Sequence, residues 1–536
     1  MEVANWLFFF QSKSTASIQA GLVTTDITMA HAVGIKVWGV ICDGIASNLS
    51  IMTNLGCKLI GSYDEIMELF YIPEIEWKIH YIPDACHNLK LARNALATYK
   101  IFKNENGVIN WNFIEDLHKT QQKMGLNFAN KISASHIDWR KNIMKVKLAA
   151  ETLSSSTADA LEALNCLNVP EFKNVEETIK FIRTIDRLFD FLNTRSPFGK
   201  GFKKPLYQNN VERQKEVILP LIEYLLKLTD VKGIPIYSTP RKTFVIGLAV
   251  AVKSVFSIAE DLLFNTQYKY LLTSKLSQDH LEIFFSKIRQ RSGYNNNPNV
   301  IEFRTAMKKL LLKNAVSASY SANCILMDST STESVFEIRW AKKKVDSSEC
   351  EENFDDDNLT ELDLDDGCFD VLKDNVLYYI CGFIVKKIFK KIDCTTCAES
   401  LLEDQTLHSY CHRNSFSVFV DLKNRGGLVK SSVDVMKIVT FVEFTLIELT
   451  NNLTVLKSCL SSKIIINTKN HVFNSNIFKN LSCEDDSFLE NHKLNLVTLI
   501  CKLYLKIRLH YAAKLKTAIT VSKRHMLSKL ILFHNQ

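Results

Sequence analysis

Three acids spread over most of the chain have the types and spacing of a shared metal site. Asp43 ends the apolar run IKVWGVIC, where a rigid strand can hold a carboxylate at the edge of a sheet. Asp279 and Glu282, in LSQDHLEIFFSKIR, are three apart, so on a helix both carboxylates face nearly the same way. Two-metal nucleases need carboxylates that converge from distant segments onto Mg²⁺ ions about 3.5–4 Å apart, where the metals activate water and stabilise the leaving oxygen. Each acid also has a plainer reading. Asp43 can be a helix N-cap, and Asp279 and Glu282 can be surface acids.

Two other groupings carry chemistry. Asp84 and Lys90, in PDACHNLK, open an expected helix. A lysine in a first turn, together with free backbone amides, suits a phosphate, and the carboxylate suits a ribose, base or Mg²⁺ contact; an N-cap is the simpler alternative for Asp84. Cys394 and Cys397 form CTTC, followed by His408, Cys411 and His412. Two of those three would complete a tetrahedral zinc site, against the alternative of reduced, partly buried thiols. Lys287, Arg289, Arg291, Arg304, Lys308 and Lys309 follow the Asp279 segment and suit either a DNA backbone or a solvated helix face.

The elements that would position these residues follow from the pattern. WLFFF reads as a strand, Ser17 to Val33 as a helix, IKVWGVIC as a strand, the segment up to Leu55 as a helix and WKIHYIP as a strand, which is α/β grammar. From Lys90 to Leu272 the spacing becomes mainly helical, broken by the loop TRSPFGKGFKKPL. Residues 346–366 carry 11 acids and no Lys or Arg, which reads as a flexible linker, and a further helical region runs from Asp370.

At 536 residues the chain exceeds one core, so two to four domains are expected. The formal charge is +8, but outside the acidic tract 66 bases face only 47 acids, which suits a polyanionic partner as well as it suits a solvated surface. Fourteen scattered cysteines point to a reducing compartment with few disulfides. The apolar stretch Thr243 to Phe264 is interrupted by Lys253, Glu260 and Asp261, so no membrane partner is expected.

The order of several motifs adds a resemblance. Ile41-Cys42-Asp43-Gly44 with Asn48, Pro83-Asp84-Ala85-Cys86-His87-Asn88-Leu89-Lys90 with Arg93-Asn94, Leu276-Ser277-Gln278-Asp279-His280-Leu281-Glu282, and Gly293-Tyr294-Asn295-Asn296-Asn297-Pro298 resemble, in sequence and order, the P-element and THAP-domain DNA transposases. The resemblance implies an α/β RNase H-like catalytic domain interrupted by a mostly α-helical GTP-binding insertion and followed by a mainly α C-terminal region. The boundaries it implies are 1–89 and 241–320 for the two RNase H-like parts, 90–240 for the insertion, 321–369 for the acidic linker and 370–536 for the C-terminal domain.

It further implies a nuclear protein that cuts and joins DNA at transposon ends with Mg²⁺ and GTP; homo-oligomerisation is left open. By motif, Asp43 and Glu282 are the expected catalytic, metal-binding acids, with Asp279 beside them. Asp84 and Lys90 begin the expected nucleotide site, and Asp159 is a candidate for guanine recognition, with Asp138 as its competitor. The family's zinc-bearing THAP module and first catalytic aspartate are expected upstream of WLFFF, and Asp26, within a helical stretch, does not stand in for that aspartate. Little or no strand transfer is therefore expected of this stretch of chain. A binding factor derived from a transposase, without catalysis, is the alternative.

Overall fold

The computed structural model describes residues 15–291, 298–313, 366–403, 416–450, 460–479, 481, 483 and 491–509. WLFFF, nearly all of the acidic tract, His408, Cys411, His412, most of the GYNNNP motif and the C-terminal segment fall outside these residues. The described residues divide into two units. The first draws on Met1–Ile114, His136–Ala158 and Asn174–Ser347, the second on Glu115–Ser135, Asp159–Lys173 and Ser348–Gln536.

The first unit is built on a three-stranded sheet in the order β1 (Gly39–Cys42), β3 (Ile79–Pro83), β2 (Leu69–Phe70). β1 and β3 are parallel in the register Gly39 to His80 and Cys42 to Pro83, whereas β2 runs antiparallel to β3. The parallel pair brings Asp43 and Asp84, each one residue past its strand, to the same carboxyl edge. There the N–H of Asp84 donates to the Cys42 carbonyl at 2.8 Å.

All five residues of β3 are buried. One covering element is the helix Thr243–Asn265, which packs on β3 and on the helix Ala85–Tyr99. It has mean hydropathy 1.7 over a window that is 78% buried, so its apolar surface belongs to the core rather than to lipid. Ser254 on this helix donates to the Tyr81 carbonyl. The two helices approach closely at Gly247, where a Cβ would lie 2.2 Å from Asn88 Oδ1. Lys78 and the buried His80 pair with Asp261 at 3.2 and 2.9 Å, tying the sheet to the same helix. A small hairpin, β4 (Ile101–Asn104) and β5 (Gly107–Asn110), interrupts the helical region that follows.

The second unit is helical. The helix Asp366–Ile388 packs on Val433–Thr450 and on Val418–Lys423, and Val433–Thr450 packs on Leu460–Phe473. The YICGFIVKKI and LKNRGGL motifs meet here. A Cβ on Gly382 would lie 2.2 Å from the Val429 carbonyl, and Lys386 Nζ donates to the Gly427 carbonyl at 2.9 Å. The helical stretch 492–509 carries Tyr504 and Arg508, which bind the buried Glu443 at 2.6 and 2.7 Å.

Candidate functional site

The site lies at the carboxyl edge of β1 and β3. Asp43 is not the N-cap of the next helix, Ala46–Asn54, since Ile45 occupies that position. Instead Asp43 Oδ1 accepts from Asn48 Nδ2 at 2.6 Å and from the Ile45 amide at 3.3 Å, which fixes the carboxylate on its strand end. Burial, reinforced by the neighbouring Asp43, pushes the Cys42 thiol up to about 12, so that sulfur stays protonated and unreactive.

Asp84 caps the helix Ala85–Tyr99. Its Oδ2 accepts the His87 amide at 2.7 Å and its Oδ1 accepts the Gln278 amide at 3.1 Å. Gln278 Nε2 in turn donates to the Ile41 carbonyl at 3.3 Å. The segment before the helix Asp279–Arg291 is therefore stitched to both strand ends. Burial pushes the Asp84 carboxyl up to about 6 against the opposing pull of the two amides; Asp279 adds to the rise and Lys90 reduces it.

Asp279 and Glu282 occupy the first turn of their helix. Asp279 is engaged on both oxygens: Oδ2 lies 3.0 Å from Arg195 Nη2, and Oδ1 accepts from Cys86 Sγ at 3.5 Å. Asp43 and Glu282 both act on the charge balance of His87. Burial and the Lys90 ammonium hold the His87 imidazole below its ordinary range, while Asp43 and Glu282 pull it back up. His87 thus has Lys90 on one side of its charge balance and the two acids on the other. Sequence reasoning did not single out His87 or Arg195. The signals for them were a ring three residues after a helix cap and a lone arginine in a loop that reads as surface.

Asp43 and Glu282 supply carboxylate oxygens from a strand end and a helix first turn, whereas Asp279, clamped by Arg195, is less available as a ligand. Lys90 is buried, with its charge close to Asp84 and His87. Asp159 belongs to the second unit, where it is buried and lies 3.8 and 3.6 Å from Lys423 Nζ and Arg425 Nη2. Cys394 and Cys397 do cluster, but the described side chains that meet them are Cys483 and His492. Those partners are 86 and 95 residues from Cys397, too far for a spacing rule to find.

Four families match the chain in order. Residues 6–56 match the TNP-like RNase H N-terminal domain, 86–205 the TNP-like GTP-binding insertion domain, 274–308 the TNP-like RNase H C-terminal domain and 369–514 the C-terminal domain of the DNA transposase THAP9. The two RNase H matches carry Asp43 and Glu282.

The chain belongs to the P-element and THAP-type transposase family.

Among its relatives, human DNA transposase THAP9 is 29% identical over 306 residues, which is 56% of this chain and 34% of that protein. The Transposable element P transposase of Drosophila melanogaster is 24% identical over 435 residues, covering 79% and 53%. The chain therefore spans about half or less of the length of these relatives. The solved Drosophila P element transposase strand transfer complex is similar over 54% of this chain and 63% of that one, at 24% identity and a TM-score of 0.46. Asp84 falls between the first RNase H match and the insertion match, and Lys90, Asp159 and Arg195 fall inside the insertion match.

Proposed function

We propose that this family member is a DNA transposase-like protein whose Asp43 and Glu282 serve Mg²⁺-dependent strand cleavage and transfer, with GTP as a cofactor. The observation that supports the reading is the tie between the helix of Asp279 and Glu282 and the strand ends beside Asp43, made by Gln278 to the Asp84 carboxylate and to the Ile41 carbonyl. Asp43 and Glu282 would hold the metal. Asp279 would be kept in place by Arg195 to shape the acidic rim. When bound, Mg²⁺ supplies an activated water and charge stabilisation at the leaving oxygen. His87, held below its ordinary range by burial and Lys90, offers a neutral ring nitrogen that can take a proton.

In this reading the RNase H-like parts, 1–89 and 241–320, flank an insertion spanning 90–240, with the acidic linker and C-terminal domain after them. Asp84 and Lys90 brace the edge where the insertion begins. Asp159 offers a carboxylate of the kind that suits the N–H groups of a guanine edge. Transposon-end DNA as substrate implies a nuclear location.

The test is a plasmid carrying the terminal repeats, incubated with the chain, Mg²⁺ and GTP. Nicking that Asp43→Asn and Glu282→Gln each abolish supports the transposase reading. DNA binding that neither Mg²⁺ nor Asp43→Asn and Glu282→Gln alter favours the transposase-derived binding factor instead. Absence of guanine nucleotide binding at millimolar concentration would remove GTP from the account.

A further inference from the structure

The second unit contains a four-donor cluster that serves none of this chemistry. Cys394 and Cys397 flank the start of the short helix Thr395–Ser400, Cys483 follows the helix Leu460–Phe473, and His492 opens the stretch 492–509. Cys394 Sγ and Cys397 Sγ lie 3.7 and 3.6 Å from Cys483 Sγ, and Cys397 Sγ lies 3.7 Å from His492 Nδ1. All four donor atoms fall within 4.8 Å of one another.

These separations decide between the chemistries open to three thiols and an imidazole. A disulfide needs sulfurs about 2.05 Å apart, and Cys394 and Cys397 stand 3.7 and 3.6 Å from Cys483. A tetrahedron of Zn–S bonds of about 2.3 Å and a Zn–N bond of about 2.0–2.1 Å sets its S···S edges near 3.8 Å and its S···N edges near 3.6 Å. The three measured separations agree with such edges. Three thiolates and one imidazole also make a closed shell, with no position left for water or substrate, which is the composition of a structural rather than a catalytic site.

We propose that Cys394, Cys397, Cys483 and His492 bind one structural Zn²⁺ that staples three segments of the second unit. The ion closes a loop of 86 residues between Cys397 and Cys483, an ordering cost that metal–ligand bonds offset more readily than a local contact would. It also fixes the entry of the stretch 492–509, so Tyr504 and Arg508 reach Glu443. The Glu443 carboxyl, although buried, is held below its ordinary range by its hydrogen bonds and charge pairing with Arg508, so that stretch carries a charge that must arrive correctly placed.

The full chain, purified under reducing conditions without chelator, is expected to hold one zinc per molecule by elemental analysis. X-ray absorption at the zinc edge should show three sulfur neighbours and one nitrogen. Cys394→Ser combined with Cys483→Ser should lose the ion, whereas Cys166→Ser, at an exposed thiol outside the cluster, should keep it. Because a ligand variant can fail to fold, His492→Cys provides a second check: it keeps four donors, so zinc should remain with a four-sulfur shell. Removing zinc from the wild-type chain should raise hydrogen exchange in 394–400 and 492–509 while leaving 85–99 unchanged. The proposal is overturned if the folded, reduced chain supplied with equimolar zinc binds none, or if zinc persists unchanged in the double serine variant.

Discussion

The amide of Gln278 donates to Oδ1 of Asp84 at 3.1 Å, joining residues 194 positions apart. This bond seats the helix that carries Asp279 and Glu282 against the end of β3, and Gln278 Nε2 ties the same segment to the Ile41 carbonyl of β1, the strand that ends before Asp43. The same carboxylate also caps the helix that begins at Ala85. The Asp84 side chain therefore joins the segment before Asp279 and Glu282 to the helix that begins at Ala85.

Asp84→Ala is expected to leave two amides without their acceptor in a buried place and to remove a helix cap. The loss of stability should be roughly 2–3 kcal/mol in chemical denaturation. A change below about 0.5 kcal/mol would mean that the cap is dispensable.

Asp84 also sets a pH dependence. Its folded pKa, about 6, stands above the unfolded value of 3.8, so between these the folded state holds the extra proton. Stability from this group is present below about pH 4 and is lost as pH rises through 6, a fall on the order of 3 kcal/mol. Asp84→Asn should flatten that slope in denaturation curves measured from pH 4 to 7, and an unchanged slope would assign the dependence elsewhere.

Arg195 places a positive charge 3.0 Å from Asp279, at a rim meant for a cation. Arg195→Ala should cost about 1 kcal/mol or less in stability, because the pair is partly exposed. It should also tighten Mn²⁺ binding a few-fold by removing a competing charge and releasing Asp279. Calorimetry that finds weaker binding would make Arg195 a support rather than a competitor.

Gly382→Ala tests the second unit independently. The added methyl would stand 2.2 Å from a backbone carbonyl, which cannot yield as a flexible side chain can. A loss of roughly 1–3 kcal/mol is expected by denaturation, with no effect on metal binding at Asp43. A neutral outcome would show that the two motifs separate easily.

Much of this architecture is legible in the residues, and the exceptions have physical reasons. Alternating and apolar runs located β1, β3 and the helices before and after them, because periodicity records which face is buried. The hairpin Ile101–Asn110 escaped notice inside a helical stretch, because its two-residue turn, Glu105-Asn106, lacks the Asn-Gly or Gly-led pattern of a tight hairpin. The CTTC pair was visible, but its partners were not, since a local spacing cannot report a contact made across 86 residues. Asp84 suggested either a ligand or a cap, and its two amide bonds give it the geometry of a cap. His87 went unread because a half-buried ring acquires meaning only when the acids around it are known.

The most direct test of the central claim is Mn²⁺ titration of the full chain followed by electron paramagnetic resonance, with Mg²⁺ as competitor. The account expects saturable binding that Mg²⁺ displaces and that Asp43→Asn and Glu282→Gln each weaken at least tenfold, while both variants keep wild-type hydrogen exchange in 85–99. Binding unchanged in both variants would contradict a shared metal centre at Asp43 and Glu282.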